Sequence, residues 1–273
     1  MQTSMATKIR KAVHRISLVL FILPLVGGVM YFLPGRLWPT TIAHIAYDRN
    51  RSIDNRVFIE ENGNFVPYIV LTANYGGSRN VLLLREHLLD NPMPINPSPH
   101  GQFLWGWQDF GAYYPNSYMD NFLNMEFMDT LGELVIAAMV PSSIEVTDMD
   151  SMNIGGGTSE YITRYVFLLS LREFGVHGFI TTVPEGETLR FFRNDHTRRF
   201  AYFSNGMVSP YWTRTPDTLI TAFVYTIGPN AISSGTADIL NGVRPAFALD
   251  RSTAITTSTD IISGKTVFVL ATE

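Results

Sequence analysis

Cysteine is absent from the 273 residues, which excludes a disulfide framework, a thiolate zinc site and a cysteine nucleophile. Charge is sparse as well: charged residues make up 16% of the chain and the formal net charge is −4. No extended Lys/Arg run stands in its globular part, and a nucleic-acid footprint needs a basic face, so nucleic acid is not expected as a partner. His44, His87, His100, His177 and His196 lack the HExxH spacing of zinc proteases, and no Gly-x-Ser-x-Gly elbow occurs. Asn194-Asp195-His196 reads as part of a solvated loop. The stretch Asp148 to Gly157 brings calcium to mind, but Met152 holds the fifth position of an EF-hand loop, where an oxygen ligand is required, and Ser159 the twelfth, where a bidentate glutamate is required. Its glycines lack the Lys-Ser/Thr of a phosphate loop. No metal site and no cofactor are implied, with calcium the one ion left open. No acid, base or nucleophile constellation stands out, so a non-catalytic protein is expected.

What is present is a hydrophobic fraction of 46%, enough for one sizeable core, and a separate N-terminal unit. Lys8, Arg10, Lys11, His14 and Arg15 lie in a basic flank, 1–15, ahead of the uncharged apolar run 16–33. At about 1.5 Å per residue that run spans roughly 27 Å, close to a bilayer's hydrocarbon thickness. An apolar N-terminal helix follows, either a membrane anchor with the basic flank inside and the rest outside, or an arm buried against neighbouring subunits of an assembly. Pro24 and Gly27-Gly28 kink or weaken such a helix. Residues 34–55 read as a linker and 56–273 as the globular domain.

Within that domain, Val57-Phe58-Ile59 and Phe65 to Leu71 flank Asn62-Gly63, a tight hairpin signal. Val81 to Leu84 reads as a buried strand, and Asn91 to Gly101, with four prolines, as a surface loop. A helix begins at Ser117, and its apolar positions recur at three- and four-residue steps until Gly132 divides it. Tyr161 to Leu169 reads as a strand. Ser170-x-x-Glu173 is then a capping box that opens one turn, ended by Gly175. Thr266 to Leu270 reads as the last strand.

Two blocks stand out near the C-terminal end, Tyr211-Trp212-Thr213-Arg214-Thr215-Pro216 and Gly242-Val243-Arg244-Pro245-Ala246-Phe247. Each sets an arginine among apolar neighbours, where a permanent cation with five donors needs a carboxylate or several carbonyls. Arg214 and Arg244 are therefore expected to cross-link loops. Ser170 caps its turn, and Glu173 is the candidate carboxylate for Arg214 or Arg244.

These blocks resemble the tryptophan-leucine-arginine-serine-proline and glycine-valine-arginine-proline-alanine signatures of an uncharacterised domain family found in phages, prophages and Gram-positive surface proteins. Thr213 and Thr215 replace the usual leucine and serine. Further blocks occur in the same order at Val57–Gly63, Val81–Arg85, Ser117–Asn124, Val166–Ser170 with Glu173, and Leu189–Phe192. The resemblance implies an α+β, C-type-lectin-like fold with short strands, a few short helices and long ordered loops, similar to formylglycine-generating enzymes. Without cysteine, the copper chemistry of those enzymes does not carry over.

The resemblance implies recognition of a glycan or protein receptor through loops, at a cell surface and outside the membrane anchor. A phage tail or capsid component in the virion is the alternative, and an enzyme on the same scaffold the second. Trp105, Trp107, Tyr113 and Tyr114 crowd a Gly/Pro-punctuated stretch where rings can stay exposed to stack on a ligand. Trp212 and Tyr225 are expected to extend that surface.

Overall fold

The computed structural model describes residues 40–97, 111–229, 231–259 and 266–271. The chain divides between Trp38 and Pro39. The first unit, with the basic flank and the apolar run 16–33, lies outside the described residues, and the second carries every element below. Among the described residues no helix is long and apolar enough to cross a membrane.

The first strands form where the turn chemistry directs. Strands β1 (Arg56–Glu61) and β2 (Asn64–Tyr75) pair antiparallel from Glu61↔Asn64 onward. Asn62 (φ 47°) and Gly63 (φ 76°) supply the two left-handed positions of a two-residue hairpin. Strand β3 (Asn80–Arg85) returns along β2, with Val81 to Arg85 buried.

The expected helix is a succession of tighter and wider turns. Ser117 Oγ accepts from Asp120 N (3.1 Å) at the start of α1 (Tyr118–Phe122). A π turn (Leu123–Phe127) and a 3₁₀ turn (Met128–Thr130) follow, then α2 (Glu133–Ala138) behind Gly132. Met119, Leu123, Phe127, Leu131 and Val135 face the core.

Four short strands come next: β4 (Met139–Val140), β5 (Ser142–Thr147), β6 (Ser159–Arg164) and β7 (Val166–Phe167). The single strand expected over 161–169 is thus two. Asn124 Oδ1 accepts from both Tyr165 N and Val166 N at 3.1 Å, and the chain leaves its pairing with β5 to join another sheet.

The remaining strands are β8 (Tyr211–Pro216), β9 (Phe223–Ile227), β10 (Ile232–Thr236), β11 (Ala246–Leu249), β12 (Ile255–Thr259) and β13 (Thr266–Leu270). The large sheet runs β12-β13-β1-β2-β3-β11-β4, with β7 also on β11, and curls into a half-barrel. Among the described residues its one parallel contact is β1 with β13, at Phe58↔Val269. Strands β10-β9-β8 and β5-β6 form two smaller sheets. The architecture is a sheet-rich α+β fold with few helices.

The reading of 34–55 as linker fails from residue 40 onward. Ile42–Ile45 form a 3₁₀ turn with both isoleucines fully buried. Ile42 N donates to Thr253 O (2.9 Å) and Tyr47 N to Val70 O (2.9 Å), so this segment closes the core instead of leading to it. The loop reading of 91–101 holds over its described part, 91–97, which is irregular apart from a bridge between Met93 and Asn241.

Candidate functional site

Arg214 lies at the centre of β8, fully buried. Its Nε donates to Glu145 O (2.9 Å), and Nη1 donates to Leu168 O (2.8 Å) and Glu173 Oε2 (2.7 Å). Nη2 has no partner among the described residues. Burial opposes the cation but is outweighed by the Glu173 carboxylate, with Tyr75 and Glu185 adding, so the guanidinium is held above its ordinary value.

Glu173 answers Arg214 from a reciprocal capping box: Ser170 N donates to Oε2 (2.9 Å) and Glu173 N to Ser170 Oγ (3.1 Å). Its Oε1 accepts from Tyr75 OH (2.7 Å), whose ring stacks on Phe167 at 5.6 Å between centroids. Burial, and then the Glu173 charge, push the Tyr75 phenol well above its usual range. It stays a donor.

Glu185 is the second buried carboxyl. It accepts from Thr147 N (2.7 Å), Thr147 Oγ1 (2.9 Å) and Thr215 Oγ1 (2.6 Å). Burial pushes its pKa up to about 7 against the opposing pull of Arg214 and these donors. The next residue, Gly186, has φ +71°, and a Cβ there would lie 2.8 Å from Glu173 Oε1. Only glycine lets this backbone rest on the carboxylate. Gly186 N donates to Glu145 Oε2 (2.8 Å), and Leu189 N to Glu173 O (3.0 Å).

Above this network opens a cleft of about 650 Å³. Tyr75 and Glu173 line its base. Asp48, Thr72 and Asn74 line one wall; Ser143, Glu145 and Tyr161 a second; and Gly186, Glu187, Thr188 and Arg190 a third. Asp48 is fixed by Thr72 Oγ1 (2.8 Å) and Ala73 N (3.1 Å), and Glu145 also accepts from Ser159 Oγ. Glu187 and Arg190 are exposed at the mouth. Tyr161 leaves 69% of its surface open. Fixed acceptors beside an exposed ring can hold a polyhydroxyl ligand, the ring covering its apolar face.

Among the described residues the rings expected from the sequence do not form one exposed surface. Tyr114 and Trp212 are buried, with Leu168 N donating to Tyr114 OH (3.3 Å) and Trp212 Nε1 donating to Met93 O (2.8 Å). Tyr225 is buried too, its hydroxyl sharing a hydrogen bond with Thr181 Oγ1 (2.8 Å). Packing and backbone acceptors thus consume these rings. Half-buried Tyr113 donates to Glu160, and Trp105 and Trp107 lie outside the described residues. Arg244 is buried without a carboxylate among the described residues: Nε donates to Arg85 O (2.9 Å), and the cation lies 5.6 Å from the Tyr211 ring centroid. Glu61 instead pairs with Arg85 (3.0 Å). Asp148 caps its own loop by accepting from Ser151 N (2.7 Å). Among the described residues no three His, Asp or Glu groups are placed to hold a metal.

Asp48, Glu145, Tyr161, Glu185, Glu187 and Arg190 went unmarked in the sequence. For Tyr161 a signal existed, since alternation along a two-sided strand leaves every second residue outward.

Fold and site together define a sheet-rich α+β domain knit by buried arginines beneath a polar cleft. Residues 78–251 match the family described as Domain of unknown function (DUF6273), and the chain belongs to that family. No curated protein and no solved structure matches it.

Proposed function

We propose that this protein is a non-catalytic recognition domain of C-type-lectin-like type, related to the phage and Gram-positive surface domains it resembles, and that its cleft binds a glycan. One observation carries the reading: a cleft of about 650 Å³ with fixed polar walls and an exposed Tyr161 ring at its side. Carboxylate, amide and hydroxyl groups answer sugar hydroxyls, and the ring answers a sugar's C–H face. Glu185, whose carboxyl burial pushes up to about 7, is fully buried and does not line the cleft, which favours recognition over acid-base chemistry.

The test is binding of the full chain to a printed glycan array beside Tyr161→Ala, with circular dichroism as the folding control. Loss of roughly tenfold in affinity for a bound glycan is expected, the scale of one stacked ring. A folded variant with unchanged binding refutes the reading. Display at a cell surface, with residues 16–33 in lipid, completes the proposal; the intact chain then floats with vesicles and a version lacking residues 1–38 does not. Large particles without flotation point to a virion component.

A further inference from the structure

The charge of the cleft is one-sided. Asp48, Glu145, Glu173 and Glu187 line it against Arg190. Glu173 is answered from beneath by Arg214 (2.7 Å). Asp48 and Glu145 meet neutral donors instead: Asp48 accepts from Thr72 Oγ1 (2.8 Å) and Ala73 N (3.1 Å), and Glu145 from Gly186 N (2.8 Å) and Ser159 Oγ. Among the described residues Asp48, Glu145 and Glu187 form no ion pair. Neutral donors hold a carboxylate in place without cancelling its charge, and a carboxylate has acceptor sites to spare. Asp48 and Glu145 are partly buried, where salt screens a charge less than on an open surface. The cleft therefore favours a cation.

The kind of cation follows from where the charges lie. Among the described residues no three His, Asp or Glu groups are placed to hold a metal, so the acidity is spread over the walls and suits an organic ion. Register supplies one close pair: Glu145 stands directly opposite Tyr161 in the β5–β6 ladder, so both side chains leave the same sheet face with Cβ atoms about 5 Å apart. An ammonium group is attracted by a carboxylate and by the face of a phenol ring alike, and Tyr161 is 69% exposed. Thr72, Asn74, Ser143 and Thr188 also line the cleft and offer hydroxyl and amide groups to a ligand's hydroxyls.

We infer that the ligand is a glycan bearing free amino groups, a hexosamine whose ammonium meets Glu145 beside the Tyr161 ring while its hydroxyls meet the polar walls. This rests on the cleft being a glycan site. In an amino sugar the charged nitrogen is bonded directly to the ring whose C–H face stacks, so one sugar reaches both Glu145 and Tyr161 across their short separation. N-acetylation removes that charge and with it the preference. At the mouth, exposed Glu187 favours the same cation and exposed Arg190 opposes it.

The experiment titrates the full chain by calorimetry with three oligosaccharide series of one linkage, built from glucosamine, N-acetylglucosamine and glucose, at a mildly acidic pH where the amine is protonated and the carboxylates are ionised. The glucosamine series should bind roughly tenfold more tightly than the other two, and less so as salt is raised. Glu187→Gln should lower its affinity about two- to fivefold and Arg190→Gln raise it by a similar factor, with the uncharged series unmoved. A common melting temperature among these surface variants shows that all are folded. Tyr161→Ala should weaken the glucosamine series, which separates the cleft from general attraction to an acidic protein. Uncharged series that bind as tightly as glucosamine, or no effect of Glu187→Gln and Arg190→Gln, overturn the ammonium preference and leave the cleft standing. Glucosamine binding that survives Tyr161→Ala in full overturns the inference as well. Tetralysine bound as tightly as the glucosamine series, and lost in Tyr161→Ala, overturns the sugar in favour of a cationic peptide. Failure of every glycan to bind overturns the cleft reading and this inference with it.

Discussion

Glu185 offers a direct test of the buried network. Glu185→Gln keeps the shape and removes the charge. In the folded chain burial raises the carboxyl from 4.5 to about 7, so the native state keeps a proton that the unfolded chain has already released. Ionisation of Glu185 therefore costs stability: the fold weakens as pH rises from about 4.5 to about 7, and the loss is complete above that. At about 1.4 kcal/mol per pH unit the cost reaches up to about 3 kcal/mol. The amide of Glu185→Gln stays neutral and accepts from Thr147 N and Oγ1, but Thr215 Oγ1, which also accepts from Leu171 N (3.0 Å), loses one carboxylate acceptor. That deficit is constant with pH, on the order of 1 kcal/mol. Urea unfolding followed by tryptophan fluorescence, from about pH 5 to about pH 8, reads both effects. The stability difference between wild type and variant should shift in favour of the variant as pH rises. A difference that is flat across this range refutes the account of Glu185.

Gly186→Ala places a methyl 2.8 Å from Glu173 Oε1 at φ +71°, and a loss of about 2–4 kcal/mol is expected from strain and contact together. Gly206→Ala, at φ +83° with nothing within 4 Å, should lose only about 1 kcal/mol; equal losses in thermal melts would show that contact with Glu173 is irrelevant. Arg214→Met leaves Glu173 buried beside an apolar chain and should lose about 3–5 kcal/mol. Adding Glu173→Gln should recover part of it, and strict additivity in a double-mutant cycle would mean that the two side chains are not coupled.

Local chemistry made much of the framework legible. Asn62-Gly63 announces its hairpin, Gly132 its helix break and Ser170-x-x-Glu173 its cap, because each signal acts within four residues of chain. The segment around Ile42 was lost for the opposite reason: a stretch of five residues, Ile42 to Ala46, buried except at His44, shows too little periodicity to separate core from linker. Arg214 and Arg244 were readable as buried cations, but their partners were not. Sequence leaves open which arginine meets Glu173, since pairing depends on where β8 crosses the turn after β7. The cleft was illegible throughout. Its walls come from residues 48, 72, 74–77, 143, 145, 161 and 186–190, and no local pattern brings those together. Burial of Tyr114, Trp212 and Tyr225 was illegible for a further reason: Trp212 and Tyr161 are equally plausible rings in sequence, and only the neighbours above them decide which meets solvent.

Arg214 and Arg244 also explain why the cleft lies where it does. Arg244 is satisfied by backbone carbonyls and by the Tyr211 hydroxyl and ring face, and it joins neighbouring strands without needing anything from the surface. Arg214 takes a carboxylate, and that carboxylate must be delivered by a turn. The turn brings Glu173 beneath Tyr75, and residues 185–189 are then tied back over it through Glu185, Gly186 and Leu189. A wall held at both ends by buried hydrogen bonds loses little freedom when a ligand arrives, so more of the contact energy appears as affinity. The charge network keeps the cleft in shape, with Glu173 at its base.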